Sequence, residues 1–152
     1  SSQIQEKLCI NSELSDKNSS IRYWQLREIY LRHRDLFKKG YGDDEFFMLS
    51  AFQDRISGRP NEYLTGGTGL PALIKWLEVQ ADSDNCYVLS GRRKMKFIQS
   101  LLEYDSDHWI GMNQVHDFQR YIPDDNVFLP FPIFFPGTAY NLSFVMETEE
   151  PL

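Results

Sequence analysis

The glycine-rich stretch YLTGGTGLPALIKWL, residues 63–77, sets the architecture that we expect of this chain. Gly66, Gly67 and Gly69 lead directly into apolar residues at helical spacing, and Pro71 stands where a first-turn proline is tolerated. A helix N-terminus carries unpaired N–H groups and a partial positive charge, and glycines let an anion approach its backbone closely. The stretch therefore predicts a helix whose preceding loop is suited to phosphate. The alternative is that the glycines serve only a tight turn and close helix packing.

The spacing within this stretch excludes two familiar phosphate-binding loops. No Gly-Lys-Ser or Gly-Lys-Thr follows the glycines, as a Walker A loop requires. The GxGxxG spacing of a dinucleotide-binding turn is also missing, and a loop rather than a strand is expected before the glycines.

Apolar periodicity predicts two further helices ahead of this loop. The first begins at Ile21 and ends at Gly40 and Gly42, and the second is capped by Asp43 or Asp44. Their apolar faces are Leu26, Ile29, Tyr30, His33 and Phe37 in the first helix, and Phe46, Leu49, Phe52 and Ile56 in the second. The histidine on the first face is expected to be hydrogen-bonded and half-buried rather than a metal ligand.

Alternation of apolar and polar residues predicts the strands. One strand runs from Ile4 to Ile10, and a final strand covers Tyr140–Met146. Between them, a hairpin joins Cys86–Leu89 to Lys94–Leu101 through a turn at Ser90–Arg93. Because helices interleave with only a few strands, the predicted fold class is α+β, a two-layer sandwich of helices on a mostly antiparallel sheet.

Length, charge and cysteine content limit the class of protein. With 152 residues the chain is expected to be one domain, 1–152, or the C-terminal major part of one, and its start at Ser1 without Met indicates a fragment of a longer protein. The net charge of −6 disfavours nucleic acid as a partner, and no apolar run is long enough to span a membrane. Cys9 and Cys86, far apart and without zinc spacing, predict reduced thiols in a cytoplasmic protein.

Five short motifs in this order resemble the GHKL superfamily, which contains gyrase, a heat-shock chaperone, histidine kinases and MutL. They are Leu8-Cys9-Ile10 before Asp16-Lys17-Asn18-Ser19-Ser20-Ile21, then Ala51-Phe52-Gln53, Gly66-Gly67-Thr68-Gly69-Leu70, Leu89-Ser90-Gly91, and Pro136-Gly137-Thr138-Ala139. The resemblance implies a Bergerat-like sandwich that binds ATP or ADP.

The resemblance also implies roles for individual residues. Asp16 matches the aspartate that hydrogen-bonds the adenine amino group, and Thr138 matches a late threonine of the adenine-side water network. The phosphate-facing loop corresponds to Gly66, Gly67, Thr68 and Gly69. Asn18 stands at a position of the DxGxG loop where the family has glycine.

Two classes of function stay open at this point. The family's Mg-binding asparagine and general-base glutamate precede the first strand, where this chain has only a few residues, so no catalytic residue is assigned. Mg is expected only if an upstream helix supplies those groups in a longer protein. The first class is an adenine-nucleotide-binding domain of an ATPase or kinase-like protein. This first class is the function that we expect, and the intact loop Gly66–Leu70 favours it. The alternative, favoured by Asn18 and Ser20, is a non-enzymatic protein-interaction module on a degenerate version of the same scaffold.

Residues 103–136 are predicted to be an insert, because the resemblance needs only a short link before the Gly137-Thr138 strand. Within it, the segment Phe128–Phe135 alternates proline with large apolar residues, which excludes a central strand because proline lacks the ladder donor. Either these side chains cover the core, which we favour, or they form a contact surface for another protein.

Two polar clusters are candidates for other chemistry. The carboxylates and imidazoles of a candidate divalent-ion site are Asp105, Asp107, His108, His116 and Asp117, although a solvated acidic loop is the favoured interpretation. A local basic patch is expected at the solvent end of the hairpin, where it could touch phosphate or an acidic partner; it comprises Arg92, Arg93, Lys94 and Lys96.

Overall fold

A computed structural model describes residues 19–56, 69–80 and 85–143 of the chain. Its elements, in order, are α1 (Ser19–Arg34), α2 (Asp43–Ser50), α3 (Gly69–Gln80), β1 (Tyr87–Lys96), a short 3-10 helix (Gln99–Leu101) and β2 (Phe128–Asn141). The α+β class is confirmed, and the sheet of the described residues is an antiparallel pair of strands. None of the described helices is long and apolar enough to cross a membrane.

Helix α1 carries most of the predicted apolar face toward the core, but it ends at Arg34, so the prediction that it runs to Gly40 and includes Phe37 is wrong. Its end closes in a tighter turn, in which the Leu36 N–H donates to the His33 carbonyl at 2.8 Å. Leu26, Ile29 and His33 are buried, as their three- and four-residue spacing requires. The opposite face is also partly apolar, because Ile21 and Trp24 are exposed there. The helix therefore has apolar residues on two sides, and only one of them packs against the rest of the described fold.

Helix α2 differs from the prediction at both ends. Its N-cap is Gly42, whose backbone N–H donates to the Glu45 carboxylate at 2.9 Å, so the prediction that Asp43 or Asp44 caps the helix is wrong. Because the Glu45 carboxylate in the first turn accepts a backbone N–H at the start of the helix, a capping side chain is not needed there. Phe52, predicted as part of the helical stripe, lies just beyond the helix and is buried there in a turn.

Helix α3 begins at Gly69 and places Pro71 in its first turn, as predicted. Ile74 and Leu77 are buried one turn apart and carry the core contact of the helix. The predicted strand Ile4–Ile10 lies outside the described residues.

The predicted hairpin is wrong, because residues 87–96 form one continuous strand. Ser90–Arg93 lies inside β1, where Gly91 takes a positive φ of 59° and the register with β2 shifts on both sides of it. Glycine and adjacent polar residues signal a chain reversal, but here they make a bulge that bends the strand without reversing it. The pairing partner is β2, which begins at Phe128, earlier than the predicted Tyr140.

The bulge also explains how both halves of β1 face the core. Val88 and Met95 are both buried although they are an odd number of residues apart, which a regular strand with period two forbids. The left-handed backbone at Gly91, with φ 59°, interrupts the alternation of β1 between these two residues, and Phe97 continues the inward row that Met95 begins.

Residues 103–127 fold as irregular backbone that completes the core. Gln53 fixes this segment by donating to the Ile110 carbonyl at 2.8 Å and accepting from the Ile110 N–H at 2.7 Å. Gly111 is required there, because a Cβ would lie 2.8 Å from the Asp117 carbonyl carbon and 2.9 Å from the Phe118 nitrogen. Trp109 is buried in the same segment, so the region contributes directly to the core.

Arg22 of α1 fastens this irregular segment to the helices. Its guanidinium donates to the carbonyls of Asp54 at 3.0 Å, Asp107 at 2.7 Å and His108 at 2.9 Å. The same group lies 3.5 Å from the centre of the Trp109 ring. One side chain thus satisfies backbone acceptors of two loops and covers an aromatic face, which a planar five-donor guanidinium can do.

Candidate interaction surface

The residues of the predicted nucleotide site are only partly within the described structure. Asp16, Asn18, Gly66, Gly67 and Thr68 lie outside the described residues. The other two lie on separate elements: Gly69 is the first residue of α3, and Thr138 is an exposed residue of β2 that pairs with Ser90 of β1.

The β1–β2 pair has a marked irregularity at its middle. Gly91 pairs with Phe135 and Arg93 pairs with Pro130, so Arg92 alone on β1 faces residues 131–134 on β2. Extra residues on one strand cannot stay in the ladder and must project from it. We call the projecting segment, residues 131–134, the ribbon bulge.

The ribbon bulge presents large apolar side chains to solvent. Ile133 is 68% exposed and Phe134 is 58% exposed, whereas Phe128 at the start of the strand is only 7% exposed. The prediction that this proline-rich run covers the core is therefore confirmed for Phe128 and wrong for Ile133 and Phe134, whereas Phe131 is half-buried. The cause is the register: residues that fall out of the ladder also leave the face that packs on the core.

Prolines limit what the outer edge of β2 can do. Pro130, Pro132 and Pro136 have no backbone N–H, so this stretch of strand lacks donors that an added strand would need. Each proline also holds its own φ near one value and restricts the preceding residue. The bulge is thus a preorganised apolar projection on an edge that resists strand addition.

Next to the bulge, the predicted basic patch divides into two parts. Arg93 turns inward and its Nε donates to the Glu45 carboxylate, which is buried in α2. This ion pair joins β1 to α2. A buried carboxylate needs such a partner, because desolvating an unpaired charge is costly.

The other three cations form an outward strip, Arg92, Lys94 and Lys96, which we call the basic strip. Met95 and Phe97 are fully buried, so the lysines that alternate with them face away from the core. Lys94 lies with its Nζ 4.0 Å from the centre of the Tyr87 ring. Among the ion pairs of the described residues, none involves a member of the strip.

The expectation that the patch sits at a hairpin end is wrong, because β1 runs straight through it. The division of the patch was nevertheless visible in the sequence. Lys94 and Lys96 alternate with Met95 and Phe97, which is the signal for an outward strip beside an inward row. The inward turn of Arg93 was not visible, because it depends on a carboxylate 48 residues away in the chain.

The acidic loop is built from turn-stabilising carboxylates. Asp105 accepts hydrogen bonds from the backbone N–H groups of Asp107 at 2.8 Å and Trp109 at 3.0 Å. Asp117 accepts in the same way from the N–H groups of Gln119 and Arg120. Short polar side chains that bond to backbone two to four residues onward hold such turns. Within ranges 19–56, 69–80 and 85–143, no three His, Cys, Asp or Glu residues form a group that could hold a metal ion.

His33 is hydrogen-bonded at both ring nitrogens, as predicted, but it is fully buried rather than half-buried. Its Nε2 lies 2.5 Å from the Phe118 carbonyl and its Nδ1 lies 2.7 Å from the Tyr41 hydroxyl. A carbonyl only accepts, so Nε2 carries the proton and Nδ1 accepts from tyrosine. Desolvation lowers the pKa of His33 from 6.5 to about 4, although the hydrogen bond to Phe118 acts in the opposite direction. The neutral ring is therefore part of the core.

A shallow cleft of about 250 Å³ lies beside the start of β2. Its floor includes Tyr41 and Phe128, and an ion pair of 2.5 Å between Lys38 Nζ and Asp125 Oδ1 lies at its wall. The charged residues that line the cleft are two lysines and two aspartates, Lys38, Lys39, Asp124 and Asp125. Because their charges balance, the cleft offers no net attraction for an anion.

Comparison of the chain with protein-family models, with curated proteins and with solved structures found no match.

Proposed function

We propose that this chain is a non-enzymatic protein-interaction module whose contact surface is the ribbon bulge. The observation that carries the proposal is the exposure of Ile133 and Phe134, at 68% and 58%, on a projection held by neighbouring prolines. The occupant is an apolar segment of another protein, which would cover side chains that this chain leaves in water.

Two physical arguments support this proposal. Clustered large apolar side chains on a surface are typical of interfaces, whereas isolated ones are ordinary. Binding also costs less when the contact groups are already ordered, and the prolines on both sides of Ile133 and Phe134 reduce the backbone freedom that binding would remove. Side chains rather than strand addition would carry the contact, because Pro130, Pro132 and Pro136 remove edge donors.

The experiment is a selection of short peptides displayed on phage against the wild-type chain, followed by measurement of their affinity for variants. The double variant Ile133→Ser/Phe134→Ser is expected to weaken the selected peptides by about tenfold or more, in line with loss of a buried apolar anchor. A matched control, Val79→Ser/Val115→Ser, removes apolar side chains that are exposed elsewhere and should leave affinity unchanged.

Stability separates a contact surface from a covered core. Because Ile133 and Phe134 are exposed, the double variant is expected to unfold within about 1 kcal/mol of the wild type. A loss of several kcal/mol in urea unfolding would mean that the side chains are needed for the core. Selected peptides that bind the variant as well as the wild type would place the interaction elsewhere.

Adenine-nucleotide binding is the second candidate. It is favoured by the start of α3, where a twelve-residue helix begins at Gly69, the last glycine of the glycine-rich sequence, with Pro71 in its first turn. In this proposal the two-layer Bergerat-like sandwich holds ATP or ADP, with Asp16 at the adenine amino group and the loop at the phosphates. Asn18 and Thr138 complete the site.

Isothermal titration calorimetry with millimolar ATP at low salt tests this candidate. We expect measurable heat from the wild type and weaker binding by Asp16→Asn, because one hydrogen bond of about 1–3 kcal/mol to the adenine is lost. No heat would reject nucleotide binding altogether. Equal affinity of the two proteins would reject the assigned role of Asp16.

A further inference from the structure

We propose that the segment bound by this chain is acidic as well as apolar, with its carboxylates on the basic strip and its apolar side chains on the ribbon bulge. This inference rests on the proposed function and adds the chemistry of the partner. The relevant groups are Arg92, Lys94 and Lys96 on β1, and Ile133 and Phe134 on β2.

The first step is electrostatic. The chain has a net charge of −6, so a run of outward cations without carboxylate partners is a local positive surface on an acidic protein. Arg93, in the middle of the same run, is paired with Glu45, which shows that this fold neutralises the cation that it packs inward. The cations of the basic strip have no ion-pair partner among the described residues, so they remain available to an external carboxylate.

The second step is geometric. Lys94 of β1 pairs with Leu129 of β2, and Arg92 is the one β1 residue that faces the ribbon bulge. Side chains two residues apart on a strand recur every 6–7 Å or so, which is also the repeat of carboxylates at alternate positions of an extended peptide. An extended acidic segment along β1 could therefore meet the basic strip in register and reach the bulge at its end.

The third step concerns the class of partner. A nucleic acid would use the same cations, but its phosphates recur at every nucleotide and would also meet the acidic remainder of a chain with net charge −6, whereas a short segment can place its few carboxylates at the basic strip alone. It would also leave Ile133 without a matching surface. A protein segment that combines carboxylates with apolar residues satisfies both parts of the surface. Charges of this kind contribute to specificity and to the association rate as well as to affinity.

The experiment uses fluorescence anisotropy with two labelled synthetic peptides, one alternating Glu with Leu and Phe, the other identical but with Lys for Glu. The wild-type chain is expected to bind the Glu peptide at least about tenfold more tightly, with affinity falling as salt increases. The variant Arg92→Glu/Lys96→Glu should weaken the Glu peptide by about tenfold or more. Arg27→Glu, which reverses an exposed cation on α1, is the matched control and should change little.

Because Lys96 is partly buried, a glutamate there could destabilise the fold, so a variant with neutral side chains serves as a second test. Arg92→Gln/Lys96→Gln should fold as the wild type by circular dichroism and weaken the Glu peptide by a smaller factor. Equal binding of the Glu and Lys peptides, or no effect of either charge variant, would overturn the inference. Tighter binding of a single-stranded thymidine oligonucleotide than of the Glu peptide would overturn it as well.

The two proposals fail in different ways. If phage-selected peptides depend on Ile133 and Phe134 but are neutral or basic, the acidic partner is rejected and the interaction surface stands. If Arg92→Glu/Lys96→Glu abolishes binding of the Glu peptide while Ile133→Ser/Phe134→Ser has no effect, the ribbon bulge is rejected as the contact surface.

Discussion

Replacing His33 with glutamine is expected to flatten the pH dependence of stability of this protein. The wild-type ring is neutral, donates from Nε2 to the Phe118 carbonyl and accepts at Nδ1 from the Tyr41 hydroxyl. Protonation would place a second N–H against the tyrosine and a charge in the core. Glutamine can still hydrogen-bond but cannot take up a proton in this range, so it isolates the titration from the packing.

The magnitude follows from the pKa of His33, which burial lowers from 6.5 to about 4. Because the folded-state pKa is depressed, the unfolded chain takes up the proton first as pH falls. Stability is complete above pH 6.5 and is lost progressively until pH 4. At about 1.4 kcal/mol per pKa unit, the total loss is about 3 kcal/mol, of which about 2 kcal/mol is lost by pH 5.

Urea unfolding between pH 7.5 and pH 4.5 measures this loss. The glutamine variant is expected to be less stable than the wild type by about 1–3 kcal/mol at neutral pH, because its hydrogen bonds fit less well. The gap should then shrink by about 2 kcal/mol toward pH 5. Other titrating groups are common to both proteins and cancel in the difference.

A matched variant and an independent probe make the prediction strict. His108→Gln changes a ring that is 63% exposed and should leave the free energy of unfolding at neutral pH within about 1 kcal/mol of the wild type, whereas the His33 variant loses more. Parallel curves for the wild type and the His33 variant would refute the reasoning. So would a midpoint near pH 6.5 for the His33 ring protons in NMR titration of the folded chain.

Three further changes test contacts that hold the fold. Arg93→Met leaves the buried carboxylate of Glu45 without its cation and should lower the free energy of unfolding in urea by about 2–3 kcal/mol. Adding Glu45→Gln should recover part of this loss, and no recovery would contradict the ion-pair argument. Gly111→Ala places a Cβ within 2.9 Å of backbone atoms and should lower the free energy of unfolding by about 2–3 kcal/mol. Gly40→Ala, where space is open but φ is 91°, should lower it by about 1 kcal/mol, and similar melting temperatures of the two variants would argue against the clash. Arg22→Met removes four hydrogen bonds and the contact with the Trp109 ring, and should lower the free energy of unfolding by about 2–3 kcal/mol. Arg22→Lys should recover less than half of this loss, and full recovery would mean that the charge, not the planar guanidinium, stabilises the fold.

The sequence alone predicted the helices well, because helical periodicity is a local signal. Leu26, Ile29 and His33 repeat at three and four residues, and a helix that buries one of them must bury the others. The same reasoning located α3 from its glycines, Pro71 and apolar stripe. It failed at the start of α2, where the Glu45 carboxylate accepts the Gly42 N–H, so neither Asp43 nor Asp44 caps the helix.

The strand prediction failed where two local signals conflicted. Gly91 with its polar neighbours favours a turn, while the residues around it favour a strand. A turn would pair residues 86–89 with their immediate neighbours, but the structure pairs β1 with a strand more than 30 residues away. The choice depends on which pairing buries more of the apolar residues on both strands, and no local window contains that information.

For the candidate site, the amino-acid sequence shows a cationic run at residues 92–96 in an acidic chain, and a proline-interrupted apolar run at residues 128–135. Which of these side chains face the core and which face solvent depends on the folded chain. Register places Phe128 in the core and Phe134 in solvent, and the carboxylate of Glu45 draws Arg93 inward while its neighbours face out. Composition and periodicity are properties of adjacent residues, whereas register and ion pairing depend on groups that only folding brings together.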